Sequence, residues 1–415
     1  MYVRLIFSVV LLGLVYVYRL SVIEWSWVYS VLTVYGVVVT PFLIFSIVVA
    51  YCYRPVPDRG YRPKVSVIVP CFNDELAIVN TIDSILKSDY PKDKLELVVV
   101  DDCSVDGSLA AMSGCSTANL RVVALPWNVG KRHAVAAGLK RCTGDVVVLM
   151  DSDTVVDANS IVNLVQPFRD EKVYCVCGNA VVHNSSSKKI NSWLAKFQRV
   201  WYADAFRIRK GAESLFGVVL CCSGALAAYR RDKMLQVADK WINEKFAGRA
   251  VSCGDDRQLT NAMLELGGKS VFQSNALAYT IAPHGFKKFM KQQERWGRGS
   301  LYGFIYGSKF FPKKNWKQKL IFYSTMLVSF LAPVALALSF VSIVLIGGWA
   351  AAVLFFAGHL MIGCLVALND KLLVDYFTPW DMLYRVVFFV LMSAVTFVYL
   401  YAWLTPWKGT KWGTR

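Results

Sequence analysis

Hydrophobic and polar positions divide the chain into three zones. Residues 5–18 and 28–51 are almost continuously apolar, and so are residues 320–368 and 383–404. Runs of about 20 apolar residues are typical of transmembrane helices. From about residue 64 to 284, short apolar runs instead alternate with amphipathic stretches, which is typical of alternating strands and helices. The pattern therefore predicts a water-soluble α/β domain flanked by membrane segments.

The first half of the middle zone predicts four strands. They cover residues 64–70, 95–102, 120–125 and 145–150, and helices are expected over 74–87 and 129–141. The strand at 145–150 holds five consecutive apolar residues, as expected for a strand buried on both faces of a parallel sheet. We predict a doubly wound nucleotide-binding fold. The chain has no G-x-G-x-x-G and no P-loop, which argues against dinucleotide enzymes and phosphate-cleaving NTPases.

Acidic residues follow two of these strands. Asp101 and Asp102 end the second strand, and Asp151 and Asp153 follow the fourth. Ligands of open α/β sheets bind at the carboxyl ends of the strands, and carboxylates there can hold a divalent cation that grips a diphosphate. An isolated D-x-D is more often an Asp-rich turn after a strand. The functional interpretation therefore depends on the neighbouring motifs.

The second half of the middle zone is less regular. A helix with aromatic and basic faces is expected over 189–212, and another from Gly254 to about 266. Cys175 and Cys177 would point to one face of a strand as packed thiols, because a reducing cytosol disfavours disulfides. Residues 286–296 are basic and aromatic at helical spacing, which predicts an amphipathic helix on the membrane face.

Composition and charge support a membrane protein. The chain of 415 residues is 55% hydrophobic, and 46 basic against 29 acidic residues give a formal charge of +17. The basic residues lie beside the apolar segments, as the positive-inside rule expects, which argues for a cytoplasmic α/β domain and against nucleic acid as a partner.

These patterns predict six regions. Residues 1–53 would form two transmembrane helices, 54–284 the cytosolic domain, 285–319 interfacial amphipathic helices, and 320–369 two further transmembrane helices. Residues 370–405 would be interfacial or re-entrant, because a fifth span would place the basic C-terminus outside, and 406–415 would form a C-terminal segment.

Eight short motifs occur in a characteristic order. They are Val-Pro-Cys-Phe-Asn-Asp-Glu75, Val-Asp-Asp-Cys-Ser104, Asn128-Val-Gly-Lys-Arg-His-Ala134, Asp-Ser-Asp153, Cys222-Ser-Gly-Ala, Gly-Asp-Asp-Arg257, Gln292-Gln-Glu-Arg-Trp296 and Trp412-Gly-Thr-Arg415. From about residue 64 onward, this series resembles the processive inverting glycosyltransferases of family 2, and among them the short, membrane-embedded hyaluronan synthases. The resemblance implies a GT-A fold with a mixed, mostly parallel sheet, beside a helical transmembrane domain.

The resemblance also implies which residues bind the donor. Asn73 and either Asp101 or Asp102 would hold the uridine, and Asp151 would contact the nucleotide-sugar. Asp153 would ligate Mg²⁺ or Mn²⁺. The cations that would meet the diphosphate are Lys131, Arg132 and Arg295. Trp412 and Arg415 would belong to a gating segment that closes over the UDP, although a charged tail would look the same.

The remaining roles concern the acceptor and the proton transfer. Asp256 would be the general base, although its neighbour Asp255, otherwise expected near the acceptor, leaves that assignment open. Trp296 would stack on the terminal acceptor sugar beside Gln292, unless it is a membrane-interface tryptophan. Cys222 and Ser223 would line the donor and acceptor region or form a buried strand of small residues. Ala225 stands where the family has proline.

Three products or roles remain open. A hyaluronan synthase would alternate UDP-GlcNAc and UDP-glucuronate and secrete the growing hyaluronan chain through its own transmembrane helices. It would work as a lipid-embedded, multi-pass monomer of the plasma membrane. A chitin or chitin-oligosaccharide synthase would use UDP-GlcNAc alone. A protein of another class, a non-catalytic membrane scaffold, would keep the fold and bind the nucleotide-sugar without transfer.

Overall fold

The central feature of the fold is an eight-stranded mixed sheet. The computed structural model describes residues 44–115, 117–183, 192–251, 253–283, 285–342 and 395–408, with a few isolated positions between and before them. The strands of the sheet are β1 Val65–Cys71, β2 Leu95–Asp101, β3 Leu120–Ala124, β4 Val146–Leu149, β5 Val155–Val156, β6 Val173–Val182, β7 Ala227–Arg230 and β10 Lys269–Thr280. Two further strands, β8 Lys245–Phe246 and β9 Arg249–Ala250, form a separate hairpin. The strand order in the large sheet is β3-β2-β1-β4-β7-β6-β10-β5.

The first four strands in sequence form the parallel half of the sheet. β1 pairs in parallel with β2 and β4, and β2 pairs in parallel with β3. Along β1 the side chains alternate between two cores, with Val67 and Val69 on one face and Ile68 on the other. Burial on both faces explains the unbroken apolar runs of these strands. The four strands predicted from the apolar pattern are therefore confirmed.

The other half of the sheet is mixed. β7 is antiparallel to both β4 and β6, whereas β6 and β10 are parallel. Cys175 and Cys177 lie on β6, are fully buried and are free thiols, as expected. The sheet is thus a mixed, mostly parallel sheet of the GT-A type.

Helices cover both faces of the sheet. Ile78 and Met112 pack on one face, and Val135, Met234 and Met263 pack on the other. In chain order the helices are α1 Glu75–Leu86, α2 Ser108–Gly114, α3 Lys131–Leu139, α4 Ser160–Val165, α5 Ser192–Ala203, α6 Gly211–Leu215, α7 Arg231–Ile242, α8 Asp255–Glu265, α9 Phe286–Ser308 and α10 Trp316–Ser342.

Two predicted helices differ from expectation in detail. The helix expected over 189–212 is α5, a π-helical segment Asp204–Lys210 and α6, so it contains a change of winding. The amphipathic helix expected over 286–296 is α9, which continues to Ser308. One face of α9 packs on α8, where Asn261 Nδ2 donates a hydrogen bond to the carbonyl of Gly303 at 2.8 Å.

The apolar ends of the chain are described only in part. Within α10, Trp316–Leu338 is long and apolar enough to cross a membrane, and a shorter apolar helix covers Val395–Leu404. Residues 44–52 are helical and precede the domain. Most of the predicted N-terminal spans, most of residues 343–394 and the gating segment from residue 409 lie outside the described residues, and the number of spans stays a prediction.

Candidate active site

A cavity of about 310 Å³ opens beyond the carboxyl ends of β1 and β4. Its walls come from the sheet edge, the start of α3, the start of α8 and the middle of α9. Nine of the residues predicted for the site line it: Asn73, Lys131, Asp151, Ser223, Asp255, Asp256, Gln292, Arg295 and Trp296. The structure therefore brings together motifs that are more than 200 residues apart in sequence.

An ion pair crosses the cavity floor. Lys131 Nζ lies 2.5 Å from Asp151 Oδ1, and both side chains are partly exposed. Gly224 lies against this pair, because a Cβ on it would be only 3.1 Å from Lys131 Nζ. Gly130, with φ of 86°, turns the chain into α3 just before Lys131. The first cation of the helix thus meets the acid at the end of β4.

The turn after β4 is held by hydrogen bonds from α1 and its N-terminal cap. Ser152 Oγ donates to Asp74 Oδ2 at 2.5 Å, and Thr81 Oγ1 donates to the Ser152 carbonyl at 2.7 Å. Asp153, in the same turn, is only 7% exposed. Asn73 has a φ of 53°, and its side chain accepts a hydrogen bond from the N–H of Val105 at 2.8 Å. These bonds fix the β1 and β4 ends relative to one another.

Asp101 and Asp102 are buried beside the cavity instead of on its wall. Asp101 accepts a hydrogen bond from the N–H of Ser104 at 3.2 Å. Both carboxylate oxygens of Asp102 accept backbone N–H groups at 2.8 Å, from Val129 and Gly130. Burial raises the pKa of Asp102, and the two N–H donors oppose that effect. In this structure Asp102 orders the loop that carries Lys131.

Arg132 is also buried, with 5% of its surface exposed, and lies outside the cavity lining. Its Nε lies 2.5 Å from Asp255 Oδ1, and a terminal nitrogen lies 3.1 Å from Glu244 Oε2. Burial raises the pKa of Glu244, and the nearby guanidinium of Arg132 opposes that rise. Of the two consecutive cations expected at the diphosphate, only Lys131 reaches the cavity.

Asp256 differs from the other carboxylates on the cavity wall in its partners. Its Oδ1 accepts the N–H of Arg257 at 2.8 Å, and its Oδ2 accepts the N–H of Gly224 at 3.3 Å. Within the described part of the chain it takes part in no ion pair, whereas Asp151 and Asp255 each pair with a cation. A carboxylate held by backbone N–H groups keeps a fixed orientation and remains able to accept a proton.

A backbone-to-backbone contact joins α8 to α9. A Cβ on Gly254 would lie 2.7 Å from the Cα of Gly299, and a Cβ on Gly299 would lie 2.9 Å from the Cα of Gly254. Gly254 also has a φ of 74°, as the residue that begins α8. The close approach sets the acids at the start of α8 beside Arg295 and Trp296, one turn earlier on α9.

An aromatic wall faces the acids. Trp296 packs edge-on against Trp201, with ring centroids 5.6 Å apart, and lies 6.2 Å from Tyr202. Tyr202 also lines the cavity, and burial raises its pKa. Trp201 and Tyr202 belong to none of the eight sequence motifs, although the aromatic face predicted for residues 189–212 was the signal that could have identified them. The packing of Trp296 against two other rings gives it a fixed face for a ligand.

The segment before β7 contributes to the cavity through Ser223. Cys222 is fully buried, and its N–H donates to Thr260 Oγ1 at 2.9 Å. Burial raises the pKa of the Cys222 thiol well above its usual value. Ser223 thus lies on the wall while Cys222 packs behind it. Trp412 and Arg415 lie outside the described residues.

The oxygen donors of the site suit a hard divalent cation. Asp151 and Asp153 lie in one turn, and carboxylates are preferred by Mg²⁺ and Mn²⁺. Among the described residues, no group of three or more His, Cys, Asp or Glu side chains is arranged to hold a metal ion. Mg²⁺ usually takes one or two protein carboxylates and completes its shell with water and substrate phosphates. Asp151 lines the cavity, whereas Asp153 in the same turn is buried and is not part of the lining. The two carboxylates therefore fit an ion whose remaining ligands come from water and a diphosphate.

Comparison with known proteins identifies the family of the chain. The family described as "Glycosyltransferase like family 2" matches residues 63–299. The hyaluronan synthase of Streptococcus pyogenes is 31% identical over 307 residues, which cover 71% of each chain. An N-acetylglucosaminyltransferase of Mesorhizobium japonicum is 33% identical over 59% of this chain and 58% of its own length.

One solved structure confirms the fold. A mannosyltransferase from Pyrobaculum calidifontis, in complex with GDP-Man and Mn²⁺, superposes with a TM-score of 0.60 at 20% identity, covering 90% of this chain and 98% of its own. The family match, the similarity to a hyaluronan synthase and this superposition agree with one another. The chain is a hyaluronan synthase-like member of glycosyltransferase family 2.

Proposed function

We propose that this protein transfers sugars from a UDP donor to a growing glycan with inversion at the anomeric carbon. The observation that carries the proposal is the environment of Asp256. It lies on the same cavity wall as Arg295 and Trp296, is held by two backbone N–H groups and has no cationic partner among the described residues. A carboxylate that is oriented but not neutralised suits a general base.

The reaction follows from the position of the charges. Asp256 accepts the proton of the acceptor hydroxyl, whose oxygen attacks the anomeric carbon on the face opposite the leaving UDP. Lys131 and Arg295 line the same cavity and stabilise the negative charge that develops on the diphosphate. Asp153, with Asp151 beside it, would hold Mg²⁺ or Mn²⁺, which supplies further positive charge to the diphosphate when bound. One displacement turns an α-linked donor into a β-linked product.

The donor has to displace an existing contact. Lys131 is paired with Asp151 at 2.5 Å, so a diphosphate that binds Lys131 competes with this carboxylate. A metal ion on the aspartates would compensate Asp151 for the loss of its partner. This exchange supports binding of donor and metal together.

For the acceptor, we propose that Trp296 stacks its ring face on the terminal sugar. Gln292 and Ser223 would form hydrogen bonds with the hydroxyl groups of that sugar. Packing of Trp296 against Trp201 and Tyr202 limits its rotation, so little side-chain entropy is lost on stacking. Trp412 and Arg415 remain proposed members of the segment that closes over the UDP.

We propose hyaluronan as the product, made by alternating UDP-GlcNAc and UDP-glucuronate. The 31% identity to a hyaluronan synthase over 71% of both chains supports this choice. Secretion would pass through the chain's own transmembrane helices, in a multi-pass monomer at the plasma membrane with its catalytic domain in the cytoplasm. The apolar helix Trp316–Leu338 supports that arrangement.

A product made from UDP-GlcNAc alone is the second candidate. The similarity to an N-acetylglucosaminyltransferase, at 33% identity over 59% of this chain, favours it. Such an enzyme would make a chitin-like polymer or oligosaccharide with the same base and the same metal.

A product assay separates these functions. Purified protein with Mg²⁺ or Mn²⁺ is given each donor alone and both together, and UDP release and polymer are measured. We expect polymer only with both donors, and complete digestion by hyaluronidase. Hyaluronidase-resistant polymer from UDP-GlcNAc alone would establish the second candidate. UDP binding without UDP release under all conditions would identify a non-catalytic scaffold.

A further inference from the structure

Arg132 has partners that connect three parts of the domain. It starts from the first turn of α3, reaches Glu244 just after α7, and reaches Asp255 at the start of α8. One of its terminal nitrogens also donates to the Trp241 carbonyl at 2.8 Å. The guanidinium lies 5.8 Å from the centre of the Trp241 ring. Arg132 is therefore a buried junction between α3, α7 and α8.

Asp255 is held at this junction at two points. Its side chain pairs with Arg132, and its carbonyl accepts the indole N–H of Trp241 at 3.0 Å. Asp256 follows directly in the helix, so the position of Asp255 determines the position from which the Asp256 carboxylate enters the cavity. An error of about 1 Å in such a position can cost about 100-fold in rate.

Arg132 and Lys131 have different environments although they are adjacent. Lys131 Nζ lies at the cavity and binds the acid at the end of β4, whereas the buried Arg132 binds the acid at the start of α8. A diphosphate in the cavity would meet Lys131 without disturbing Arg132. A buried charge needs counterions, and in the described structure those of Arg132 are Asp255 and Glu244.

We propose that Arg132 and Asp255 form a positioning pair that sets the general base Asp256. Asp255 lines the cavity, but it acts through its ion pair with Arg132 and not as a ligand of the donor diphosphate or the acceptor. The inference rests on the proposed role of Asp256 and adds two residues that act through it. Glu244 neutralises the same guanidinium but belongs to no element that carries a reacting group. It therefore serves as the matched control.

The test compares Asp255→Asn, Arg132→Gln and Arg132→Lys with Glu244→Gln in the full-length protein. We measure kcat from UDP release, KM for each donor and for an acceptor oligosaccharide, and the dissociation constant of UDP by calorimetry. Asp255→Asn and Arg132→Gln should lower kcat about 100-fold, with UDP affinity and both KM values within about threefold of wild type. The kcat of Arg132→Lys should lie between those of Arg132→Gln and the wild type, because a single ammonium group cannot make all the contacts of the forked guanidinium.

The control variants separate positioning from stability. Glu244→Gln should lower the thermal unfolding temperature as Asp255→Asn does, yet keep kcat within about threefold. Lys140→Gln, exposed just after α3, should change neither quantity. If Lys131→Gln weakens UDP binding while Arg132→Gln does not, the two cations have the separate roles that we infer.

Two results would overturn the inference. A loss of UDP affinity in Arg132→Gln in proportion to its loss of kcat would make Arg132 a diphosphate ligand. An unchanged kcat in Asp255→Asn would remove the link to Asp256. Neither result depends on the identity of the polymer. By contrast, wild-type protein that never releases UDP would refute the proposed function itself.

Discussion

At the scale of single residues, neighbours in sequence have different surroundings in the fold. Asp255 pairs with a buried arginine, whereas the hydrogen bonds that Asp256 accepts from described residues all come from backbone N–H groups. The motif order predicted that both would be near the reaction. It could not predict their partners, because Arg132 lies 123 residues from Asp255 and the pair forms only when three helices pack.

The role of Asp256 can be tested by removing its basicity. Asp256→Asn keeps the shape of the side chain but cannot accept the proton, so kcat should fall by about 100-fold to 10,000-fold. UDP affinity, measured by calorimetry, should stay within about threefold. Asp232→Asn, on the exposed start of α7, is the control. Turnover of Asp256→Asn at the wild-type rate would refute the assignment.

The aromatic platform gives a second prediction at this scale. Trp296→Ala removes the ring that packs on Trp201 and Tyr202, so the acceptor KM should rise about 10-fold or more, a loss comparable with one aromatic contact of about 1–1.5 kcal/mol. UDP affinity should change little, and Trp296→Phe should recover part of the loss. The control is Trp316→Ala, because Trp316 is 69% exposed. If Trp296→Ala has an unchanged acceptor KM and makes chains as long as the wild-type products, Trp296 does not bind the acceptor.

At the scale of elements, the apolar pattern predicted the strands that are buried on both faces and missed β10. Its centre holds Gln273, Ser274 and Asn275, which interrupt the hydrophobic run. The Gln273 side chain bonds to a distant segment at both of its polar atoms: Nε2 donates to the Val56 carbonyl at 2.7 Å, and Oε1 accepts the Val56 N–H at 3.1 Å. A local pattern cannot show that polar side chains will be satisfied by tertiary contacts.

The glycine contact between α8 and α9 predicts the effect of adding one methyl group. Gly299→Ala would place a Cβ 2.9 Å from the Cα of Gly254, so the helices must move apart. We expect a loss of about 1–3 kcal/mol in stability, seen as a lower unfolding temperature. A fall in kcat should accompany it, because Asp256 and Trp296, the proposed base and the proposed acceptor platform, would move apart.

A matched substitution tests whether this effect is local. Gly114 is the last residue of α2, and a Cβ at this position meets nothing within 4 Å. Gly114→Ala should therefore leave stability and kcat unchanged or slightly improved. If Gly299→Ala behaves like Gly114→Ala in both measurements, the backbone contact does not set the site.

At the scale of the whole molecule, the GT-A sheet and the cavity were predictable from the sequence, whereas most of the predicted membrane segments lie outside the described residues. Within the described residues, Trp316–Leu338 is the helix long and apolar enough to span a bilayer. The predicted strands meet at one sheet edge because parallel strands place all their carboxyl ends there. The contribution of α5 to the cavity depends on how it packs against α9, which no sequence pattern states.

The metal belongs to this scale because it would join protein and donor. EDTA should abolish UDP release, and added Mg²⁺ or Mn²⁺ should restore it, since Lys131 and Arg295 alone leave part of the diphosphate charge uncompensated. UDP affinity should fall about 10-fold without the ion. Asp153→Asn should show the same loss in the presence of metal. Full activity in EDTA would rule out the proposed metal role of Asp153.

The buried guanidinium of Arg298 links the middle of α9 to a distant segment. Arg298 is 1% exposed and binds Glu294 on its own helix and Thr405, whose carbonyl accepts its Nε–H at 3.1 Å. Thr405 lies 107 residues later in the chain and directly follows the apolar helix Val395–Leu404. A displacement of that apolar helix would therefore be transmitted to α9 within one turn of Arg295 and Trp296.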